Sequence, residues 1–203
     1  MSLETAHGHE HAEVTNTGID NRKLGFWLFL SSETIFFACL LVGYLVYHGQ
    51  NGEGGPTPHE LFNIPLTSIS TFVLLMSSLA VVLGVFSAQQ GNAKAARGWV
   101  AATAAMGLVF LGFQAYEFNH FYHEGLTLSS SLFGTTFYVL TGFHGAHVAV
   151  GVIWLLSLLY HGRKGGLGQD KAGDVEIAGL YWHFVDIVWI VLFTVVYLLE
   201  AAM

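Results

Sequence analysis

Long apolar segments alternate with short polar stretches along the chain, and there are five such segments. Each is long enough to cross a bilayer, because about 20 helical residues span the hydrocarbon core. A helix also satisfies its backbone hydrogen bonds within one segment, as a lipid environment requires. The pattern predicts an all-α membrane protein, a bundle of five transmembrane helices with spans at about 24–47, 64–88, 99–118, 131–160 and 177–199.

The basic residues predict the orientation of this bundle. All seven lie before the first segment, between the second and third, or between the fourth and fifth, and the intervening loops at 49–63 and 119–130 contain none. Loops rich in Lys and Arg stay in the cytoplasm. We therefore expect the N-terminus in the cytoplasm and the C-terminus outside. The basic residues are Arg22, Lys23, Lys94, Arg97, Arg163, Lys164 and Lys171.

The chain divides into a polar tail and a membrane domain. Residues 1–23 contain three alternating histidines and predict a flexible cytoplasmic tail, whereas residues 24–203 hold the five spans. Only 10% of the 203 residues are charged, against about 25% in an average soluble domain. The formal charge of -7 gives no basic footprint for nucleic acid.

Residues 137–151 form the most distinctive stretch, since it lies in the fourth segment and departs from hydrocarbon only at histidines and small residues. At about 100° per residue, His144 and His147 project from one side of a helix. Small residues let membrane helices approach closely, and ionisable groups face a bundle interior. We expect this helix to be central, with packing through Gly142, Gly145, Ala146 and Ala149 on the opposite side.

Five ionisable residues fall at overlapping depths on three predicted spans. A charge at the centre of a membrane helix costs about 2.5–3.5 kcal/mol on insertion scales, so these groups are expected to face one another or a shared polar cleft. A buried carboxylic acid that keeps its proton can act as a donor or reservoir. Helix-tying hydrogen bonds are the structural alternative. The residues are Glu33, His144, His147, His183 and Asp186.

Other polar groups point less clearly to chemistry. His144 and His147 are spaced as His-x-x-His, which is a weak metal signal in a membrane helix. Gln114 and Glu117 are expected to make interfacial hydrogen bonds. The lone Cys39 excludes an intrachain disulfide and is expected to be a small core residue. A respiratory-complex subunit and a small stand-alone proton or ion transporter both fit these features.

Four stretches resemble a known family, subunit III of the haem-copper terminal oxidases. They are residues 24–33, which end in Ser-Ser-Glu, residues 112–118 with Gln-Ala-Tyr-Glu, residues 137–151, and residues 181–189 with Tyr-Trp-His-Phe-Val-Asp. The resemblance covers essentially everything after residue 22. The chain is similar to the short five-helix form of that family, which begins at the helix with the buried glutamate.

The resemblance implies an accessory subunit that binds no haem or copper, since those lie on other subunits. It implies that the chain packs beside the catalytic subunit I, in a complex with subunit II, in the bacterial plasma (inner) membrane. It also implies bound phospholipid and support of proton uptake, with Glu33 as the family's buried glutamate. The two helices that complete the lipid cleft in long members are lacking here, so another subunit is expected to help form it.

The electron donor is open between two classes. Gly-Phe-His-Gly at 142–145 looks more like the cytochrome c oxidases, whereas the His-rich tail, the loop at 54–57 and the closing residues 196–203 resemble the bo-type quinol oxidases. Cytochrome c is the favoured donor. In either class the resemblance implies a non-catalytic subunit of a complex that reduces oxygen to water.

Overall fold

A computed structural model describes residues 21–47 and 62–199 of the chain. These residues form five long helices, each long and apolar enough to cross a membrane, which confirms the predicted fold class. A 3₁₀ turn, Gln169–Lys171, leads into the fifth helix, and a π-helical segment, Phe193–Leu198, follows it. The helices are α1 Asn21–Tyr47, α2 Ile64–Gln89, α3 Ala93–His123, α4 Leu132–Gly165 and α5 Ala172–Leu192. Most of the predicted tail, residues 1–20, and the loop 48–61 lie outside the described residues.

Side-chain caps place the starts of three helices. Asn63, Asn92 and Ser131 each accept a hydrogen bond from a backbone N–H in the first turn that follows. Pro65 lies in the first turn of α2, where its missing N–H costs nothing. Helix α3 is longer at both ends than its apolar segment. At the N-terminal end, the cap at Asn92 and not the membrane boundary decides where the helix begins.

Helix α5 is the most enclosed of the five. Half of its most apolar window is buried within the chain, against 39% for α4 and 17% for α1. Helix α5 packs on α2, α4 and α1, while α4 packs on α3, α5 and α1. The prediction that α4 has partners on both sides holds, but α5 occupies the more central position. Helix α1 lies at the edge of the bundle.

The core of the bundle is built around Trp182 of α5. Its ring fills the space beside Gly107 of α3 and Gly151 of α4, where a β-carbon at either glycine would lie within 3 Å of the indole. The indole N–H donates to the Ser77 hydroxyl of α2 at 2.8 Å. One side chain thus joins three helices to α5.

Ion pairs join the first and last helices at one end of the bundle. Arg22 contacts Asp174 at 2.7 Å and Lys23 contacts Glu176 at 2.8 Å. Both pairs connect the start of α1 to the start of α5, so an even number of crossings separates these two points. This end, called the basic end below, carries Arg22, Lys23, Lys94, Arg97, Arg163 and Lys171. Its cytoplasmic location remains a prediction.

Cys39 corrects one expectation from the sequence. The thiol lies on the exposed side of α1 and not in the core. Helix α1 is apolar around most of its circumference, with Leu28, Ile35 and Val46 all more than 60% exposed. A helix that faces lipid has the same apolar residues as a helix buried in protein, so the sequence does not distinguish the two.

Candidate functional site

Glu33 of α1 and His147 of α4 form a polar pair midway along both helices. Oε2 of Glu33 lies 3.2 Å from Nε2 of His147, and the side chains are only 21% and 18% exposed. Phe37 packs against the imidazole edge-on, with ring centroids 5.0 Å apart. Glu33 lies about 18 Å from the start of α1, counting 1.5 Å per residue. The pair therefore sits deep within the membrane span.

The hydrogen bonds of His147 show where a proton must be. Nδ1 lies 2.7 Å from the Phe143 carbonyl oxygen. A carbonyl can only accept, so Nδ1 carries a hydrogen. A hydrogen bond between Nε2 and Glu33 then needs a second hydrogen, held either by the carboxyl or by Nε2. Such a bond is a direct contact through which a carboxyl and an imidazole can share a proton.

His144 turns away from this pair into the core. Its ring stacks on Trp189 at a centroid distance of 4.8 Å and meets Phe110 edge-on at 5.8 Å. The residue is fully buried, and neither ring nitrogen has a hydrogen-bond partner among the described residues. The two histidines therefore do not share one site, although both lie on the face expected from helical spacing.

His183 and Asp186 also differ from expectation. His183 Nδ1 shares a 2.6 Å hydrogen bond with the Ser78 hydroxyl of α2 rather than with Asp186. Ser78 also lies beside the Asp186 carboxyl, but neither carboxyl oxygen of Asp186 meets hydrogen-bond geometry with a described group. The predicted single polar cleft does not form, because each polar group faces the helix that happens to pack on its own side.

Gln114 and Glu117 both join α3 to neighbouring helices. Gln114 Nε2 donates to the Thr141 carbonyl of α4 at 2.8 Å. The Thr67 hydroxyl of α2 donates to Oε1 of Glu117. Both residues are more than 90% buried. These contacts are hydrogen bonds between helices, and the interfacial role expected from the sequence stays a prediction.

The small residues of α4 are not equivalent. The Gln114 side chain lies where a β-carbon of Gly145 would be, so the absence of a side chain at 145 gives Gln114 its place. A β-carbon at Gly142 would meet nothing within 4 Å, and Ala146 is exposed. Ala149 is half-buried. No described helix packs closely on Gly142 or Ala146, and the helix packing expected there stays a prediction.

Sequence reasoning missed a seam of hydrogen bonds between α2 and α5. The Trp189 indole N–H donates to the Thr71 hydroxyl at 2.9 Å. This bond lies about two helical turns along α5 from the bond between Trp182 and Ser77. Each hydroxyl in turn donates to a carbonyl of its own helix. The available signal was the set of hydroxyls that recur on one face of α2 at spacings of three, four and seven, namely Thr67, Ser70, Thr71, Ser77 and Ser78.

No three His, Cys, Asp or Glu side chains come together within the described ranges, 21–47 and 62–199. His144 and His147, whose spacing gave the weak metal signal in the sequence, face different neighbours. What the described polar residues offer is helix-to-helix hydrogen bonding and one proton-holding pair.

The sequence matches a known family over nearly its whole length. The profile described as cytochrome c oxidase subunit III matches residues 1–201. A protein named cytochrome c oxidase subunit 3 from Alkalihalophilus pseudofirmus is 43% identical over 202 residues, which are 98% of this chain and 97% of that one. A further relative of the same name, from Bacillus sp., is 43% identical over 88% of this chain and 86% of its own.

Relatives named as quinol oxidase subunits are nearly as similar. The quinol oxidase subunit 3 of Bacillus spizizenii is 39% identical over 195 residues, 95% of each chain. The two names differ in the electron donor but share the subunit. With the profile matching almost from end to end and relatives aligning over almost their full lengths, the chain belongs to the cytochrome c oxidase subunit III family.

Proposed function

We propose that this chain is the non-redox accessory subunit III of a proton-pumping haem-copper oxidase that receives electrons from cytochrome c. In this proposal the chain stabilises the catalytic subunit I within a complex that also holds subunit II, in the bacterial plasma membrane. Haem and copper belong to those other subunits, and oxygen is reduced there. The relatives named for cytochrome c oxidase, at 43% identity over nearly the whole chain, support this donor.

The Glu33–His147 pair is the observation that carries the proton-related part of the proposal. It brings a carboxyl and an imidazole into contact near the middle of both helices, on the edge helix α1, and both side chains are about one fifth exposed. A proton store on an outer face can exchange with a neighbouring subunit. A pair that served only to join α1 to α4 would need no such exposure.

The remaining candidates take supporting roles in this proposal. His144 and Asp186 are buried polar groups without described partners, and His183 is tied to α2 through Ser78. The half-exposed flank of α1 is the surface that we assign to phospholipid and to the catalytic subunit, because α1 buries the least of its apolar surface within the chain.

The alternative donor is a quinol, as the names of relatives at 39% identity suggest for those proteins. The identities of the two groups differ by only a few percentage points. The donor site itself lies on other subunits in either case. A direct measurement on the complex is therefore needed to separate the two.

The experiment uses the complex that this chain forms in its own membrane. An affinity tag on the chain should retrieve a complex with a haem spectrum that reduces oxygen. We expect oxygen consumption with reduced cytochrome c, and a companion subunit with a two-cysteine copper motif. Consumption with a quinol and not with cytochrome c would overturn the donor assignment.

A different result would overturn the accessory role itself. If the tagged chain came out without haem-bearing partners and moved protons when reconstituted alone, the stand-alone transporter would be the better assignment.

A further inference from the structure

An open groove lies at the basic end, between the start of α3 and the end of α4. Its volume is about 590 Å³. Three of its lining residues are basic, namely Lys94, Arg97 and Arg163, and Gly98, Ala101 and Leu159 supply an apolar floor. None of the other lining residues is acidic. None of these six residues entered the function proposed above.

The three cations form no ion pair within the part of the chain that the structure describes. All three residues are exposed, and none is within ion-pair distance of a described carboxylate. Arg163 lies over the Tyr160 ring at 5.8 Å, and aromatic side chains of this kind mark the membrane interface. At the same end, by contrast, Lys23 pairs with Glu176 at 2.8 Å.

The apolar floor leads from the cations towards the middle of the bilayer. Ala101, Ala105 and Leu108 are exposed and recur at the spacing of one helix face. Gly98 adds no bulk, and a β-carbon there would meet nothing within 4 Å. A groove with clustered positive charge at its polar end and an apolar surface beyond it is complementary to a phospholipid, which has an anionic phosphate and apolar acyl chains.

We propose that this groove binds an anionic phospholipid, with the phosphate held by Lys94, Arg97 and Arg163 and an acyl chain lying along α3. Basic residues next to the bilayer attract anionic headgroups. The positive end of the α3 dipole lies at the same place and adds to the attraction. A zwitterionic lipid fits less well, since no lining carboxylate is present to pair with its ammonium group. The proposal does not depend on the oxidase role.

The test uses the intact complex in a non-ionic detergent and a photoreactive phosphatidylglycerol. With the photoreactive group on the acyl chain, cross-links should map to α3 between Ala101 and Leu108. Phosphatidylethanolamine with the same photoreactive chains should label at least tenfold less. The triple variant Lys94→Gln/Arg97→Gln/Arg163→Gln should reduce phosphatidylglycerol labelling roughly 10- to 100-fold, because each basic residue near the surface contributes to the attraction.

The matched control is Arg22→Gln/Lys23→Gln/Lys171→Gln, which removes three positive charges from the same end but outside the groove. Its labelling should stay within twofold of the unmodified complex. Equal losses in both triple variants would show that general surface charge and not the groove attracts the lipid, and would overturn the proposal. Size-exclusion chromatography confirms that each variant keeps its subunits.

A second variant separates a lipid from a soluble phosphate. Ala101→Trp keeps all three cations and fills the exposed apolar floor, so it should reduce labelling at least tenfold. Inorganic pyrophosphate in excess should compete weakly in the unmodified complex. If pyrophosphate abolished labelling and Ala101→Trp had no effect, the groove would be a site for a soluble anion and the lipid assignment would be wrong.

Discussion

At the scale of single residues, the hydrogen bond between Glu33 and His147 requires a hydrogen on either the carboxyl or Nε2 of the imidazole. The Phe143 carbonyl takes the hydrogen of Nδ1, which leaves Nε2 to share a second hydrogen with the carboxyl. Tyr181 donates to the His147 carbonyl at 3.1 Å and so fixes this turn of α4 against α5. The imidazole is therefore held with Nε2 towards α1.

Replacement of Glu33 separates the proton from the hydrogen bond. Glu33→Gln can still donate to Nε2 but has no titratable proton, so the complex should keep its subunits and most of its oxygen reduction while proton uptake slows or activity fades sooner during turnover. Glu33→Leu should weaken retention of the subunit more, because His147 loses a partner in a low-dielectric interior. Oxygen consumption, proton release and subunit content would be measured on the same preparations.

One outcome would contradict the accessory role of Glu33. If Glu33→Gln abolished oxygen reduction while all subunits and the haem spectrum remained, the residue would be an obligatory part of the catalytic proton path.

Gly107 makes room for Trp182, and this gives a residue-scale test of the core. A β-carbon there would lie 2.5 Å from the indole and 2.8 Å from Val152. Gly107→Ala should therefore lower the free energy of unfolding by about 1–3 kcal/mol, the usual cost of overpacking. Gly112→Ala on the same helix, where a β-carbon meets nothing within 4 Å, is the control and should cost nothing. Unfolding in mixed micelles by a denaturing detergent would measure both, and equal effects would refute the packing account.

At the scale of elements, the seam between α2 and α5 relies on tryptophan N–H groups and hydroxyls. Thr71 accepts from Trp189 and donates to the Thr67 carbonyl, so both groups are satisfied inside the bundle. Ser77 does the same for Trp182 and the Leu74 carbonyl. Two bonds of this kind, seven residues apart on α5, hold the two helices in one register.

Removal of one hydroxyl should expose the contribution of the seam. Thr71→Val keeps the shape of the side chain but leaves the Trp189 N–H buried without a partner. We expect a loss of about 0.6–1.7 kcal/mol in unfolding free energy, from the average to the maximum found for hydrogen bonds between membrane helices. Thr34→Val is the matched control, since the exposed Thr34 hydroxyl bonds only the Leu30 carbonyl of its own helix. Indistinguishable losses in the two variants would rule out a stabilising seam.

At the scale of the whole molecule, the ion pairs between α1 and α5 and the groove between α3 and α4 lie at one end of the bundle. The opposite end is held by aromatic packing, with Phe62 4.6 Å from Tyr197 between ring centroids. The two ends thus differ in chemistry, basic on one side and aromatic on the other. The positive-inside rule predicts that the basic end faces the cytoplasm.

Cysteine labelling tests this orientation. In a Cys39→Ala background, Asp170→Cys at the basic end should react with an impermeant thiol reagent only from the cytoplasmic side. Ser129→Cys, in the loop between α3 and α4, should react only from outside. Both positions are exposed, so reagent access does not depend on opening the bundle. The reverse pattern of labelling would invert the predicted topology while leaving the five helices intact.

The sequence by itself determined the helices and the end at which the basic residues gather. A run of about twenty apolar residues satisfies its backbone hydrogen bonds in lipid by forming a helix, so hydropathy is enough to locate the spans. Caps such as Asn92 add the helical turns that extend beyond them. The family resemblance also rested on sequence alone, and the profile match over residues 1–201 confirmed it.

Only the tertiary structure decided which polar groups meet. Helical spacing placed His144 and His147 on one side of α4, but the stack on Trp189 and the bond to Glu33 depend on where α5 and α1 pack. The sequence likewise did not show that the thiol of Cys39 is exposed. A helix facing lipid and a helix facing protein satisfy the same hydrophobic requirement, so the pattern locates each span but does not say what lies against it.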